Sequence, residues 1–393
     1  MAGVTKHIYD HDIRDILSMW STQLKSVSSL LPLEYTKENV IFLLKRFYPH
    51  EWKSVEIKYE YYCDKDKYLI KRFGRPRFKM KKPEQLLTLS RMYQKILSED
   101  FRSNYKANYS DLSRKKAEDQ LWQKRRVKIQ KIDDKIQKSL MRTQQMTPDF
   151  IDQLIGLYER KTTTQADKVY ILAELKKYYS PRIMKFFFKV NDTELNKQLR
   201  WEAFYHLQSF NYHPRARRQK YMLVHAKSPR RKEFLRYVYP NQKFSIPQTP
   251  QELEYRIQNS KEQQIKSYDF FISHSSKDYS AVQNLIVKEN QNGKNVFCDW
   301  INDADYLKRT LLCDATLRVI EHRLDQSKAL IFVLSDNSSS SVWCKYELNY
   351  FYNLGRPIYA LDKEDILRGR YQLHLMTDLW FLDPNYKNLT LIS

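Results

Sequence analysis

Four short, continuously apolar runs most constrain how this chain can fold: Tyr268–Ser273, Asn295–Cys298, Ala329–Ser335 and Pro357–Leu361. A strand that is apolar at every position, rather than at every second one, is buried on both faces. The stretches between the runs are long enough for crossover helices, so the rhythm is βαβαβ and predicts a parallel sheet with helices on both sides. Ligands of such sheets bind beyond the carboxyl ends of the strands. Attention therefore falls on residues 273–278, 299–305 and 335–341.

Charge divides the chain at the same place. The 393 residues carry a formal net charge of +23, yet residues 267–393 hold 14 basic and 16 acidic side chains, against 55 and 30 in residues 1–266. So abrupt a switch predicts units with different surroundings or partners. We expect a basic, mainly helical sensing or regulatory region at 1–245, divisible near residue 83, a connecting helix or linker at 246–266, and an α/β domain at 267–393. In the connector, Thr249 as N-cap, Pro250 at the first helical position and Glu252 at the third spell a helix start.

Within the basic region, Ile13, Ile16, Leu17, Trp20, Leu24, Val27 and Leu31 recur at helical spacing, and Thr36 opens a second helix through Phe47 that Pro49 ends. Val55, Ile57, Tyr59 and Tyr61 then alternate with Glu56, Lys58 and Glu60, and Asp64 to Lys67 offers a turn, so a β-hairpin is predicted over 55–73. Helices resume near Pro83, with starts expected at Thr147-Pro148 and Asp192. Residues 114–142 place Leu121, Ile129, Ile132, Ile136 and Leu140 near one face, with basic residues elsewhere. A second basic cluster, from Arg215 to Arg236, interleaves with Tyr212, Tyr221, Phe234, Tyr237 and Tyr239. Cations among aromatics are a nucleic-acid footprint, and an acidic protein would be served by the same charge.

Several classes are set aside. The 6 glycines form no G-x-G, so neither a P-loop nor a dinucleotide fingerprint is present. Cys63, Cys298, Cys313 and Cys344 have no zinc spacing and suggest no disulfide framework, so no metal is expected and a reducing compartment fits. No apolar run is long enough to span a bilayer, and no signal core opens the chain, which predicts a cytoplasmic protein without a membrane partner.

Ser338 to Ser341 cap a predicted helix running from Val342 to Asn353, on which Trp343, Glu347 and Phe351 are spaced i, i+4, i+8 and read as one face. On that reading the Glu347 carboxylate sits between two aromatics. Taken in order, Tyr268-Asp-Phe-Phe-Ile-Ser-His-Ser-Ser-Lys-Asp278, Val296-Phe-Cys-Asp-Trp300, Ala329 to Ser335 and Trp343-Cys-Lys-Tyr-Glu-Leu348 resemble a Toll/interleukin-1 receptor (TIR) domain of the bacterial kind. The resemblance covers the last third of the chain and implies a flavodoxin-like parallel sheet. It also implies cleavage of NAD at the nicotinamide–ribose bond, with Glu347 catalytic and Trp343, His274, Ser275 and Asp299 binding substrate. NAD is then a substrate and no cofactor is needed; the products are nicotinamide and either ADP-ribose or a cyclic isomer. Self-assembly through the TIR-like domain and a role in antiphage defence follow from the same resemblance. His274-Ser275 replaces an aromatic–arginine pair common in the family, and 302–313 lacks the Gly or Pro that shapes the family loop, which bears on whether that loop gates the site. A competing reading is a non-catalytic TIR scaffold coupled to a nucleic-acid-binding N-terminal region.

Overall fold

A computed structural model describes residues 4–212, 228–230, 233, 243–307, 313–377 and 379–382. The chain divides into two compact units, Met1–Ser139 with Phe187–Pro240, and Leu140–Phe186 with Asn241–Ser393.

The first unit is helical. Its core gathers Trp20, Leu24 and Leu31 with Val40, Leu44 and Phe47 of the helix Lys37–Phe47, and Trp52, Val55 and Tyr62 of the helix Pro49–Phe73. Thr36 opens the second helix as expected, its backbone N–H donating to Asn39 Oδ1 at 2.8 Å. The predicted hairpin over 55–73 is absent: that segment lies inside Pro49–Phe73, with Pro49 at the first helical position. The inward residues Trp52, Val55, Lys58, Tyr62 and Asp66 do follow helical spacing. Polar members disguise the stripe. Lys58 Nζ and the Tyr62 hydroxyl both donate to Asp12 Oδ2, at 2.9 and 2.7 Å. Asp192 is not a helix start but lies near the end of Pro181–Thr193, where its Oδ2 accepts from the Tyr61 hydroxyl and Lys65 Nζ, each at 2.8 Å. The next helix, Lys197–Ser209, is capped by Asn196, and the helix expected at Thr147-Pro148 begins at Ile151.

The helix Asp111–Met141 keeps the expected face half-buried, while most of its cations are exposed. Arg114 is half-buried, and Arg125 is buried, with Nε donating to the Phe47 carbonyl at 2.7 Å. Nearly all of the second basic cluster, 215–236, lies outside the described residues. No described helix is long and apolar enough to cross a membrane.

The second unit is built on a five-stranded sheet ordered β2-β1-β3-β4-β5: β1 Tyr268–Ser273, β2 Val296–Phe297, β3 Ser327–Leu334, β4 Ile358–Asp362 and β5 His374–Leu375. The first four are parallel and β5 runs antiparallel to β4. Successive residues feed opposite faces. Phe270, Ile272, Ile331 and Val333 meet Ala281 and Leu285 of the helix Tyr279–Gln291. Phe271, Leu330 and Phe332 meet Leu324 of Asp314–Asp325, and Leu348 and Phe351 of Val342–Asn353. The connector helix is Pro250–Asn259, with Thr249 Oγ1 accepting from Glu252 N as its spacing predicts.

Residues 140–186, which charge alone groups with the basic region, belong to this second unit. Charge reports surface, whereas buried polar contacts decide the packing. β2 is the edge of the sheet, and the wholly buried side chain of Gln144 pairs with it as another strand would. Gln144 Nε2 donates to the Val296 carbonyl at 2.6 Å, and Gln144 Oε1 accepts from Val296 N at 3.2 Å. Nε2 also reaches Asn302 Oδ1 at 3.2 Å, and that oxygen accepts from Cys298 N at 3.0 Å. The amide thereby closes an open edge and pins the loop that follows β2. Gln144→Ala is expected to lower stability by about 1–3 kcal/mol, because the Val296 backbone groups lose a partner that water cannot easily replace; urea denaturation checks it.

Candidate active site

The strand order reverses direction beside β1, and the crevice at such a point is where open α/β sheets bind ligands. Here the carboxyl ends of β1 and β2 and the first turns of Val342–Asn353 enclose a cavity of about 350 Å³. All five residues singled out in the sequence line it: His274, Ser275, Asp299, Trp343 and Glu347.

Ser341 caps the helix, its Oγ accepting from Cys344 N at 3.3 Å, which sets the rotation of the first turns. Trp343 and Glu347, one turn apart, then face the cavity, while Cys344 and Leu348 enter the core. Phe351 does not flank Glu347 as the i+8 spacing suggests; it is fully buried in the core. Eight residues of α-helix overshoot two turns by about 80°, so i and i+8 share a face only loosely. Apolar walls come instead from Phe271, Phe297, Leu307 and Ile320.

Ser273, the last residue of β1, donates through Oγ to Glu347 Oε2 at 2.6 Å. Burial pushes the Glu347 carboxyl up to about 8, the negative charge of Asp299 adds to the rise, and the Ser273 hydrogen bond opposes it. An acid so placed is largely protonated at neutral pH until a cation or a hydrogen-bond donor arrives beside it.

Asp299 opens the loop after β2, and its Oδ1 accepts from Trp300 N at 2.8 Å. Trp300 Nε1–H donates to His274 Nε2 at 3.0 Å. Indole nitrogen only donates, so the neutral His274 ring carries its proton on Nδ1, facing the Ile272 carbonyl at 3.0 Å. His274 is thus a braced wall with both nitrogens engaged. Ser275 caps the short turn Ser276–Asp278. The donor atoms of His274, Cys298 and Asp299 lie within 4.8 Å of one another, as a metal would require. Yet His274 Nε2 already accepts from Trp300, and burial pushes the Cys298 thiol well up, so the set is poorly prepared for an ion.

Ser341 caps the helix as the sequence suggests, whereas the sequence reading missed Phe297, Thr316 and Ile320 as lining residues and gave no role to Ser273 or to Trp300 as the brace of His274, although both lie in the stretches it pointed to. Ser273 was within reach, since the last residue of a strand in such a sheet opens onto the crevice; Thr316 and Ile320 carry no comparable signal. Residues 308–312 of the 302–313 loop, whose part in gating the sequence leaves open, lie outside the described residues.

A TIR-like parallel sheet with a half-buried carboxylate at its ligand crevice is the class that fold and site define. The family model for the Thoeris protein ThsB TIR-like domain matches residues 271–365. A Cytobacillus dafuensis protein assigned the name cyclic ADP-D-ribose synthase TIR2 is 32% identical over 369 residues, covering 94% of each chain. A Bacillus cereus (strain MSX-D12) protein assigned the name 3′ cyclic ADP-D-ribose synthase ThsB′ is 32% identical over 106 residues, 27% of this chain and 53% of its own. Human Toll-like receptor 2 is 36% identical over 83 residues, 21% of this chain and 10% of its own. No solved structure matches. The chain belongs to the bacterial TIR-domain family that includes the Cytobacillus protein, and shares its full architecture rather than the TIR domain alone.

The weakened acidity of Glu347 has a sign that stability measurements can read. Between the ordinary value of 4.5 and about 8, the folded state holds a proton that the unfolded chain has released, so folding weakens as pH rises across that window and the loss persists above it. Glu347→Gln lacks this titration. Its melting temperature relative to the wild type is expected to climb from pH 5 to pH 8 and then level off, as followed by calorimetry.

Proposed function

We propose that this chain cleaves NAD at the nicotinamide–ribose bond, as a cyclic ADP-ribose synthase or NAD glycohydrolase, with Glu347 as the catalytic carboxylate. The observation that carries the reading is that carboxylate, set among apolar walls beneath Trp343 in a cavity at the sheet's ligand crevice. The names of relatives matched over the whole chain and over the TIR domain support it. A cavity of about 350 Å³ is small for a ligand pocket, and suits the nicotinamide riboside end of the dinucleotide rather than all of it.

Nicotinamide on ribose is a pyridinium cation that departs neutral. As the glycosidic bond breaks, its electron pair passes to the ring nitrogen and positive charge moves to the ribose, so no general acid is needed, unlike in two-carboxylate glycosidases. Arrival of the pyridinium lowers the pKa of Glu347 and ionises it where it is wanted. The carboxylate then faces the developing cation in a site that excludes water, where fixed charge acts most strongly. Capture of the ribosyl cation by water yields ADP-ribose; capture by a nucleophile of the same molecule yields a cyclic isomer. An attacking hydroxyl sheds a proton, and a carboxylate whose acid form titrates near neutrality accepts it well. Trp343 offers a ring face for the pyridinium, a contact worth about 0.5–2 kcal/mol. His274, Ser275 and Asp299 border the same space and contact the remainder of the substrate.

Glu347→Gln preserves size and is expected to cut nicotinamide release by about 10²–10³-fold or more, the scale of losing one fixed electrostatic stabiliser. In the wild type, kcat/KM rises with pH to a plateau above about 8, following the free enzyme's carboxyl. The kcat profile has its midpoint lower, because the bound pyridinium stabilises the carboxylate. Chromatography of the products separates hydrolysis from cyclisation. Release unaffected by Glu347→Gln would leave the scaffold reading in its place.

Self-association through the TIR-like domain is part of the same proposal, as is action in the cytoplasm, where NAD is available, as a defence effector. Specific activity is expected to rise with protein concentration in step with mass measured by light scattering.

A further inference from the structure

Residues 67–83 carry eight lysines and arginines and no aspartate or glutamate. All eight cations are exposed, and among the described residues seven of them, all but Lys67, make no ion pair. Three large apolar side chains lie exposed among them: Tyr68 at 56%, Ile70 at 48% and Phe73 at 62%. Such a concentration of one charge repels itself and weakens the compact state unless something of opposite charge answers it.

The segment is nonetheless held in one shape. The helix Pro49–Phe73 stops at Gly74, which adopts the left-handed conformation (φ 73°) of a helix C-terminus. The chain then wraps around the buried Asp66 carboxylate, which accepts three consecutive backbone N–H bonds, from Arg77 (2.7 Å), Phe78 (2.9 Å) and Lys79 (2.6 Å). Phe78 and Met80 are buried, so Arg77, Lys79 and Lys81 between and beside them are turned outward. Lys79 does so at φ +50°, a conformation a non-glycine residue adopts only when its surroundings impose it. Beside this loop, Arg72 Nη1 donates to the Tyr68 hydroxyl at 2.6 Å and its guanidinium lies 5.3 Å from the Phe73 ring centroid, so cation and rings are arranged together.

We propose that this surface, the Arg75–Lys82 loop with the helix end bearing Tyr68 and Phe73, binds single-stranded nucleic acid, its cations meeting phosphates and its exposed rings offering faces to bases. The site is distinct from the two basic clusters that stand out in the sequence, and binding here does not depend on the NAD chemistry. A bilayer is the poorer match, because the apolar side chains are few and scattered among cations instead of forming a continuous amphipathic face. An acidic protein would answer the charge but leaves the clustered rings unused.

The test is fluorescence anisotropy of full-length protein with labelled dT20 and U20 over a range of salt. The logarithm of the binding constant is expected to fall linearly with the logarithm of salt concentration, by about 0.7 per phosphate contact for a single strand. Joint replacement of Arg75, Arg77 and Lys81 by Ser is expected to weaken binding at least tenfold at low salt and to flatten the slope by about 2, the share of three contacts. Lys79 is left in place because of its backbone. Phe73→Ala is expected to weaken binding without changing the slope. An unchanged far-UV spectrum and melting temperature confirm that these exposed positions leave the fold intact. The proposal is overturned by an unaltered constant in the triple variant, by binding indifferent to salt, or by no oligonucleotide binding together with capture on phosphatidylglycerol vesicles that the triple variant loses.

Discussion

The second unit is organised around charges withdrawn from water. Arg323 is fully buried, and its guanidinium is held by Asp303 at 2.8 Å, with Gln263 and Gln326 completing its hydrogen bonds at 2.8 Å each. Lys177 lies 3.6 Å from Asp303 and 2.8 Å from Glu174, which also meets Lys266. Burial would raise the Glu174 carboxyl, but the two ammonium groups outweigh it and hold it far below the ordinary range. Removing one member strands the others uncompensated, so the cluster ties the helix Gln165–Leu175, the connector and the α/β domain into one body.

That constraint reaches the candidate site through a short stretch of chain. Asn302 is fastened by Gln144 and Asp303 by Arg323, and between them they hold the segment from Asp299 to Leu307, both ends of which line the cavity. The wall beside Glu347 is thus held from behind by residues that never touch the cavity. A site that works by fixed electrostatics depends on such support, since a carboxylate stabilises a developing cation only if nothing has to reorganise when charge appears. Residues 140–186 are therefore part of the α/β unit's working structure, which agrees with a relative that matches 94% of the chain.

Where the sequence could be read correctly, the signal was local. Strand burial on both faces shows as unbroken apolar runs, and the cap at Thr249 shows as residue types at fixed offsets. Two misreadings have separate causes. In Pro49–Phe73 the buried face includes Lys58 and Asp66, whose polarity is satisfied by distant partners, so the helical period was hidden and a period of two appeared in its place. Phe351 was read as flanking Glu347 because i+8 looks like the same face in a string, whereas on a real helix it is rotated away into the core.

By itself, the sequence determined the parallel sheet and the stretches that open onto its crevice, because strand ends and helix turns are set by neighbours a few residues apart, and the family resemblance picked out the five side chains there. Only the tertiary structure decided what those groups are chemically. That Glu347 is pushed up to about 8, that His274 Nε2 is taken by Trp300, and that Gln144 serves as a strand at the sheet edge all depend on partners 26 to 152 residues away. Desolvation and buried hydrogen bonds act through space, and no spacing along the chain records them.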